Sequence, residues 1–290
     1  MGLCDEVRRT CAEIAANARW VRIEVDRLGA IEPGPPPSLD PGPHYLEGPR
    51  EDVAAYLLTL DAINFGSGWF PTLRKRPGAS GYYTVAWALA DRFRAEGAWS
   101  NAELQALGAA DVGAVLGQDP DHELMALYAR ALNDLGQWLG ERSALERIAE
   151  AGGSAERLAE LLAAGMPLFD DRGFWKRPQI VPNDLALAGV AEFDDLDRLT
   201  IFADNLVPHV LRCDGVLVYD ERLAAHIDAG RPLRMGPQEH EIRACGVYAC
   251  TRIAQRLGIT EQDLDHRLWA RGQAPEYKAR PRHRSRCTAY

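Results

Sequence analysis

Apolar positions recur along this chain three and four residues apart, the spacing of one helical face, over most of its length. Residues 4–28 set Val7, Cys11, Ile14, Ala18 and Val21 among Glu, Arg and Asn, which predicts an amphipathic helix. A second helix is predicted over 50–63, where Val53, Tyr56, Leu57 and Leu60 form a stripe that breaks into Asn64-Phe65-Gly66-Ser67-Gly68. A third covers 84–96, with Trp87, Leu89, Ala90 and Phe93 available for burial. Ser100 and Glu103 have capping-box spacing, in which each side chain satisfies a free amide at a helix start. Further helical patterns cover 121–139, 154–164, 195–203 and 238–257, and Thr260 caps a last one through Leu264 and Leu268. Pro208 fits the first turn of another, which leaves Asp204 and Asn205 at a junction.

Other stretches depart from that period. Pro33, Pro35, Pro36, Pro37, Pro41 and Pro43 make residues 30–50 a Pro-rich, extended connection. Residues 169–184 alternate charged, aromatic and proline residues without a clean period and read as a loop rich in side-chain chemistry. Residues 278–290 form a basic tail, expected at the periphery. Residues 215–219 fit a short strand or a buried helical turn equally. The expectation is a single compact domain over 1–290, all-α or predominantly α, with at most a minor β element.

Composition acts mainly by exclusion. Hydrophobic residues at 47% and charged residues at 26% fit a folded protein rather than a disordered one. A formal charge of -9, from 33 basic and 42 acidic side chains, gives no general attraction to a polyanion. Long nucleic acid is therefore not an expected partner, although a local basic pocket can still hold one phosphate. Six cysteines lack paired C-x-x-C spacing and the density of a disulfide scaffold, and no stretch resembles a signal peptide or a membrane span. A cytoplasmic, monomeric protein with reduced thiols is expected.

No phosphate-binding glycine loop, dinucleotide fingerprint or H-E-x-x-H motif is present, and the seven histidines are scattered, so neither metal nor cofactor is expected. Asp204 lies in Leu199-Thr200-Ile201-Phe202-Ala203-Asp204, where apolar neighbours restrict water around a carboxylate. It suits a helix-end cap or a catalytic acid. Lys176 follows Phe174 and Trp175 and precedes Arg177, which suits a positioned ammonium beside a stacking surface or plain solvated charge over core anchors. Asp61 and Asn64 are three apart and can approach one ligand or cap the broken helix, with Trp69 adding flat surface nearby. Glu239 and Glu241 are two apart and cannot share a helical face, which argues against a paired-carboxylate hydrolase centre there.

Taken together, several segments resemble the queuosine salvage family, whose members are described as queuosine 5'-phosphate N-glycosylases or hydrolases. They are Leu60-Asp61-Ala62-Ile63-Asn64-Phe65, Gly81-Tyr82-Tyr83-Thr84, Trp175-Lys176-Arg177-Pro178-Gln179-Ile180, Leu199 to Asp204, Glu241-Ile242-Arg243 and Leu264-Asp265-His266-Arg267-Leu268-Trp269. They occur in the family's order over about residues 50–272. The resemblance implies a helical fold related to DNA glycosylases and cleavage of the bond between queuine and ribose 5-phosphate, with a queuosine nucleotide as the small-molecule partner. It implies that Asp204 is the catalytic carboxylate and that Lys176 supports the phosphate or the reaction centre, with Arg177 as a second candidate for the phosphate. Asp61, Asn64, Phe65, Trp69, Phe174, Trp175, Asp184, Arg212, Glu239 and Asp265 are the candidate substrate contacts. Where family members commonly carry tyrosine and arginine after the aspartate this chain has Asn205 and Leu206, and His209 replaces a glutamine. A noncatalytic binding protein for a modified base or nucleotide, or a helical interaction protein, would use the same residues without turnover.

Overall fold

The computed structural model describes residues 2–32 and 34–290; Met1 and the predicted breaker Pro33 lie outside the described residues. The chain runs through α1 (Leu3–Ala16) and β1 (Val21–Ile23) into an irregular connection, then α2 (Arg50–Ala62), α3 (Gly81–Glu96), α4 (Asn101–Ala106), α5 (Ala109–Leu116) and α6 (Glu123–Leu139). Next come α7 (Ala144–Ala149), α8 (Ala155–Gly165), α9 (Lys176–Leu187), α10 (Val207–Cys213), β2 (Leu217–Tyr219), α11 (Glu221–Asp228), α12 (Pro237–Leu257), α13 (Glu261–Arg271) and α14 (Pro275–Lys278). The fold is predominantly α-helical, as the periodicity predicts. Its single sheet among the described residues is the antiparallel pair β1–β2, with Val21 opposite Tyr219 and Ile23 opposite Leu217.

Two hydrophobic clusters form the core. One gathers Tyr56, Leu57 and Leu60 of α2 with Phe93 of α3 and Leu132 and Leu135 of α6. The other surrounds α12, where Ile242, Val247 and Ile253 meet Val7 of α1, Val210 of α10 and Leu264 of α13. α9 serves both, giving Val181 and Leu185 to the first and Ile180 to the second.

Four local expectations are corrected by tertiary contacts. The first helix stops at Ala16 rather than near 28, because Glu241 Oε1 accepts from the amides of Arg19, Trp20 and Val21 at 2.9, 2.5 and 2.7 Å and pulls that stretch into strand geometry. The second half of 169–184 is helical, not loop. Pro178 stands in the first turn of α9, where its missing N–H has no helical acceptor to lose, and only Pro182 interrupts the interior.

Residues 195–203 contain a single 3-10 turn, Leu196–Arg198, and then run extended through the interior. Side chains replace the missing ladder: Gln179 Oε1 accepts from Thr200 N at 2.9 Å, Asp265 Oδ1 accepts from Phe202 N at 2.9 Å, and Arg243 Nε donates to Ala203 O at 2.7 Å.

The basic tail is not peripheral. His283, Ser285, Ala289 and Tyr290 are buried, and Tyr290 O accepts from the amides of Gly66 and Ser67 at 3.0 and 3.3 Å. Gly68 permits that docking, since a Cβ there would lie 2.4 Å from Ser285 O.

Candidate active site

A cavity of about 810 Å³ opens where the end of α2, the start of α9, the extended 199–206 segment and α13 converge, closed on further sides by 35–40 and by the tail. Of the candidate site residues named from the sequence, Asn64, Phe65, Lys176, Asp184, Asp204 and Asp265 line it, and so do Asn205, Leu206 and His209. No group of three or more His, Cys, Asp or Glu among the described residues can hold a metal ion, and no helix among them is long and apolar enough to cross a membrane. All six cysteines are free thiols.

Lys176 is aimed inward by a strained turn. Trp175 sits at φ 51° and ψ 41°, a left-handed conformation that costs a non-glycine residue about 1 kcal/mol or more. Asp171 holds it there: its carbonyl accepts from Phe174 N and Trp175 N at 3.0 and 2.8 Å, and its Oδ2 accepts from Lys176 N at 3.3 Å. The first residue of α9 thereby enters the interior, where Lys176 Nζ donates to Asn64 O at 3.2 Å and approaches Asn64 Oδ1 at 3.4 Å. Burial pushes the Lys176 ammonium below its ordinary range, and the charge of Asp204, foremost among the nearby acids, opposes that shift.

Asp204 is half-buried at the cavity wall. Its Oδ1 accepts from Leu206 N at 2.7 Å and Val207 N at 3.0 Å, so it also fixes the start of α10. Oδ2 makes no hydrogen bond among the described residues. The side chain is therefore oriented through one oxygen and left with the other.

The remaining acids are buried more deeply. Burial, reinforced by the charge of Asp184, raises Asp61 well above the usual carboxylate range against a 3.3 Å hydrogen bond from Asn64 Nδ2. Burial raises Asp184 to about 6 against a 3.0 Å hydrogen bond from Asn183. Asp265 is raised well above its ordinary value by burial and then by the charge of Asp204, against the hydrogen bond from Phe202 N.

These shifts give an inverted pH dependence. The folded chain keeps a proton on Asp184 up to about pH 6 that the unfolded chain releases near 4, so this group's contribution to stability is full below about 4 and is lost as pH rises through about 6. Asp184→Asn, which can still accept from Asn183, should therefore raise the melting temperature by roughly 5 °C at about pH 7.5 and by much less at about pH 4. Thermal melts of both proteins at the two pH values check this.

Arg243 of α12 ties the two halves of the site together. It is fully buried, donates to Ala203 O one residue before Asp204, and grips Asp171 with NH1 to Oδ1 at 2.9 Å and NH2 to Oδ2 at 2.5 Å. The Phe174 ring lies 3.9 Å from its guanidinium carbon. One cation thus anchors both the extended segment that carries Asp204 and the turn that aims Lys176.

The other candidates stand behind the cavity wall. Asp61 is wholly buried next to Asn64. Arg177 is buried between the rings of Phe65 and Phe169 and donates to Ala62 O and Leu168 O, which leaves it no route to a phosphate. Trp69 donates to Glu123 at 2.7 Å, and Phe174 lies under Arg243. Trp175 is half-buried outside the lining. Arg212 pairs with Asp228 at 2.8 Å, and Glu239 is buried 3.7 Å from Arg243. Glu239 and Glu241 diverge, as their spacing requires.

Sequence reasoning missed Arg243, Asp171, Arg282 and Arg284 as site residues. Arg243 lay within a resembling segment and carried a signal. The two tail arginines were hidden by their basic context.

The profile of the family described as queuosine salvage protein matches residues 44–290. The chain belongs to the queuosine salvage family. It is 31% identical to the queuosine 5'-phosphate N-glycosylase/hydrolase of Sphaerobacter thermophilus over 319 aligned positions, covering 100% of this chain and 98% of that protein. The protein of the same description from Mus musculus is 32% identical over 58% of each chain, and that from Bos taurus 31% identical over 56% of each. Membership in this salvage family supports glycosylase/hydrolase activity for the chain.

Proposed function

We propose that this chain hydrolyses the N-glycosidic bond of queuosine 5'-monophosphate, releasing queuine and ribose 5-phosphate, with Asp204 as the catalytic carboxylate. The observation that carries the assignment is the contrast among four acids. Asp61, Asp184 and Asp265 are buried, whereas Asp204 is half-exposed to the cavity, fixed by two amides through Oδ1 and left with Oδ2 unengaged by the described residues. A cavity of about 810 Å³ also suits a ligand of nucleotide size.

In the reaction the bond from the sugar C1' to the base nitrogen breaks and the base leaves with the electron pair, while a water oxygen bonds to C1' and its proton passes by way of the Asp204 carboxylate and solvent to the departed base nitrogen. Positive charge grows on the ribose as the bond loosens, and the Asp204 carboxylate stabilises it and orients the water. Queuine is a 7-deazaguanine and has no ring nitrogen at position 7 to protonate. Help to the leaving group must come at its guanine-like edge. Asp265 lines the same cavity, and burial, followed by the charge of Asp204, raises its carboxyl well above the ordinary range, which favours the protonated form that can donate a hydrogen bond to the base carbonyl as negative charge develops.

Lys176 offsets the surrounding acids and keeps Asn64 in place. Lys176→Met should lower turnover of the nucleotide and of the unphosphorylated nucleoside alike, by about 10-fold or more, without changing the preference between them. Parallel kinetics on both compounds check this, and a selective loss on the nucleotide would assign the phosphate to Lys176. The reaction itself is tested by incubating purified protein with queuosine 5'-monophosphate and following free queuine over time. Binding without release would make the protein a nucleotide binder. Free thiols at all six cysteines fit action in a reducing cytosol.

A further inference from the structure

Charge around the cavity is unevenly placed. Asp61, Asp184 and Asp265 surround Lys176, whereas Arg282 and Arg284 reach the same space from the segment beyond α14. His283 between them is buried with its ring 6.0 Å from that of Tyr290, so the side chains at 282 and 284 leave the opposite face of an extended stretch. That stretch is held on both sides. Asn205 Nδ2 donates to His283 O at 2.9 Å, and Leu233 N donates to Arg284 O at 2.9 Å.

Neither guanidinium has a hydrogen-bond or ion-pair partner among the described residues, and the Nε of each is buried without one. Other arginines of the same segment are paired, Arg280 with Asp228 and Arg286 with Glu123. Burial brings Arg282 down to about 10, helped by Arg284, while the charge of Asp204 opposes. Two adjacent cations with buried, unsatisfied donors are costly, and an anion between them removes the cost. Guanidinium forks match the oxygens of a phosphate monoester in geometry as well as charge.

We propose that Arg282 and Arg284 form the phosphate seat of this site, in the cavity they share with Asp204. The assignment deepens the hydrolase reading and rests on it for the rest of the ligand: base toward Lys176 and Asp265, ribose at Asp204, phosphate at the two arginines. Asn205 then has a positioning role, since its carboxamide fixes the backbone between them.

The test uses Arg282→Met, Arg284→Met and the double variant, with Arg286→Met as a control that removes an equal charge from the same segment. Nucleotide and nucleoside are compared by kcat/KM, and inorganic phosphate and ribose 5-phosphate are titrated while the melting temperature is followed. Each single substitution is expected to lower the nucleotide-to-nucleoside ratio by about 10-fold or more, and the double variant to bring the ratio near one. Both ligands should raise the melting temperature of the parent and of Arg286→Met but not of the double variant. A double variant that keeps the parent's ratio and its stabilisation by phosphate overturns the proposal, as does an equal loss of ratio in Arg286→Met. Should the methionine variants fail to fold, paired Arg→Lys substitutions, which keep charge and lose the fork, are expected to give an intermediate ratio, and an unchanged ratio there is equally fatal. If the parent releases no base from either compound the hydrolase reading falls, and the phosphate titrations still decide the seat.

Discussion

Asp204→Asn is expected to lower kcat on the nucleotide by about 10²–10³-fold with little change in melting temperature. The reason lies in the division of labour between its two oxygens. Asn keeps an Oδ1 that can accept from Leu206 N and Val207 N, so the start of α10 survives. What disappears is the negative charge facing a sugar that becomes positive as its base departs. Asp204→Ala removes both functions, and should add a stability loss of about 1 kcal/mol to a similar loss of rate. Turnover and thermal melts of the two variants separate the roles. If the Asn variant works at the parent's rate and the Ala variant is only less stable, Asp204 is a helix cap and nothing more.

That ambiguity was present in the sequence, and the structure explains why. A cap and a catalytic acid both favour Asp at a junction before a helix, and here one side chain can serve both because each use needs a different oxygen. The helices were legible wherever packing follows periodicity: Val53, Tyr56, Leu57 and Leu60 are all buried on α2, and Ser100 and Glu103 form the capping box their spacing implies. Legibility failed where a distant side chain takes over the backbone. Nothing near Arg19 announces that Glu241 will accept three of its neighbourhood's amides, and nothing in Leu199 to Ala203 shows that Gln179, Asp265 and Arg243 will satisfy an extended run in the interior. Pro178 and Pro182 suggest a loop, although the first stands in the opening turn of α9 and costs it no hydrogen bond, and the helix continues through the second. The tail misled through charge, because arginines with no surface role read as solvated when they face a cavity.

Arg243→Met should have the largest effect on stability, about 3–5 kcal/mol, together with a loss of turnover. Removing the guanidinium leaves the carboxylate of Asp171 nearly buried without its bidentate partner, and it strips Ala203 O of its donor. Both losses fall on the site's geometry. Asp171 holds the left-handed turn at Trp175 that directs Lys176 inward, and Ala203 precedes Asp204. Adding Asp171→Asn to the Arg243→Met background removes the stranded charge while keeping an acceptor for Lys176 N, and should restore more than half of the lost stability. It should not restore turnover, because the donor to Ala203 O is still missing and Asp204 has lost its anchor. Denaturant melts and kcat for the two single variants and the pair form a double-mutant cycle that reads both quantities. Arg243→Met with the parent's stability and rate would show that Asp204 and Lys176 are positioned without it; recovered stability without recovered rate would show that the buried cation serves the placement of the reacting groups more than the persistence of the fold.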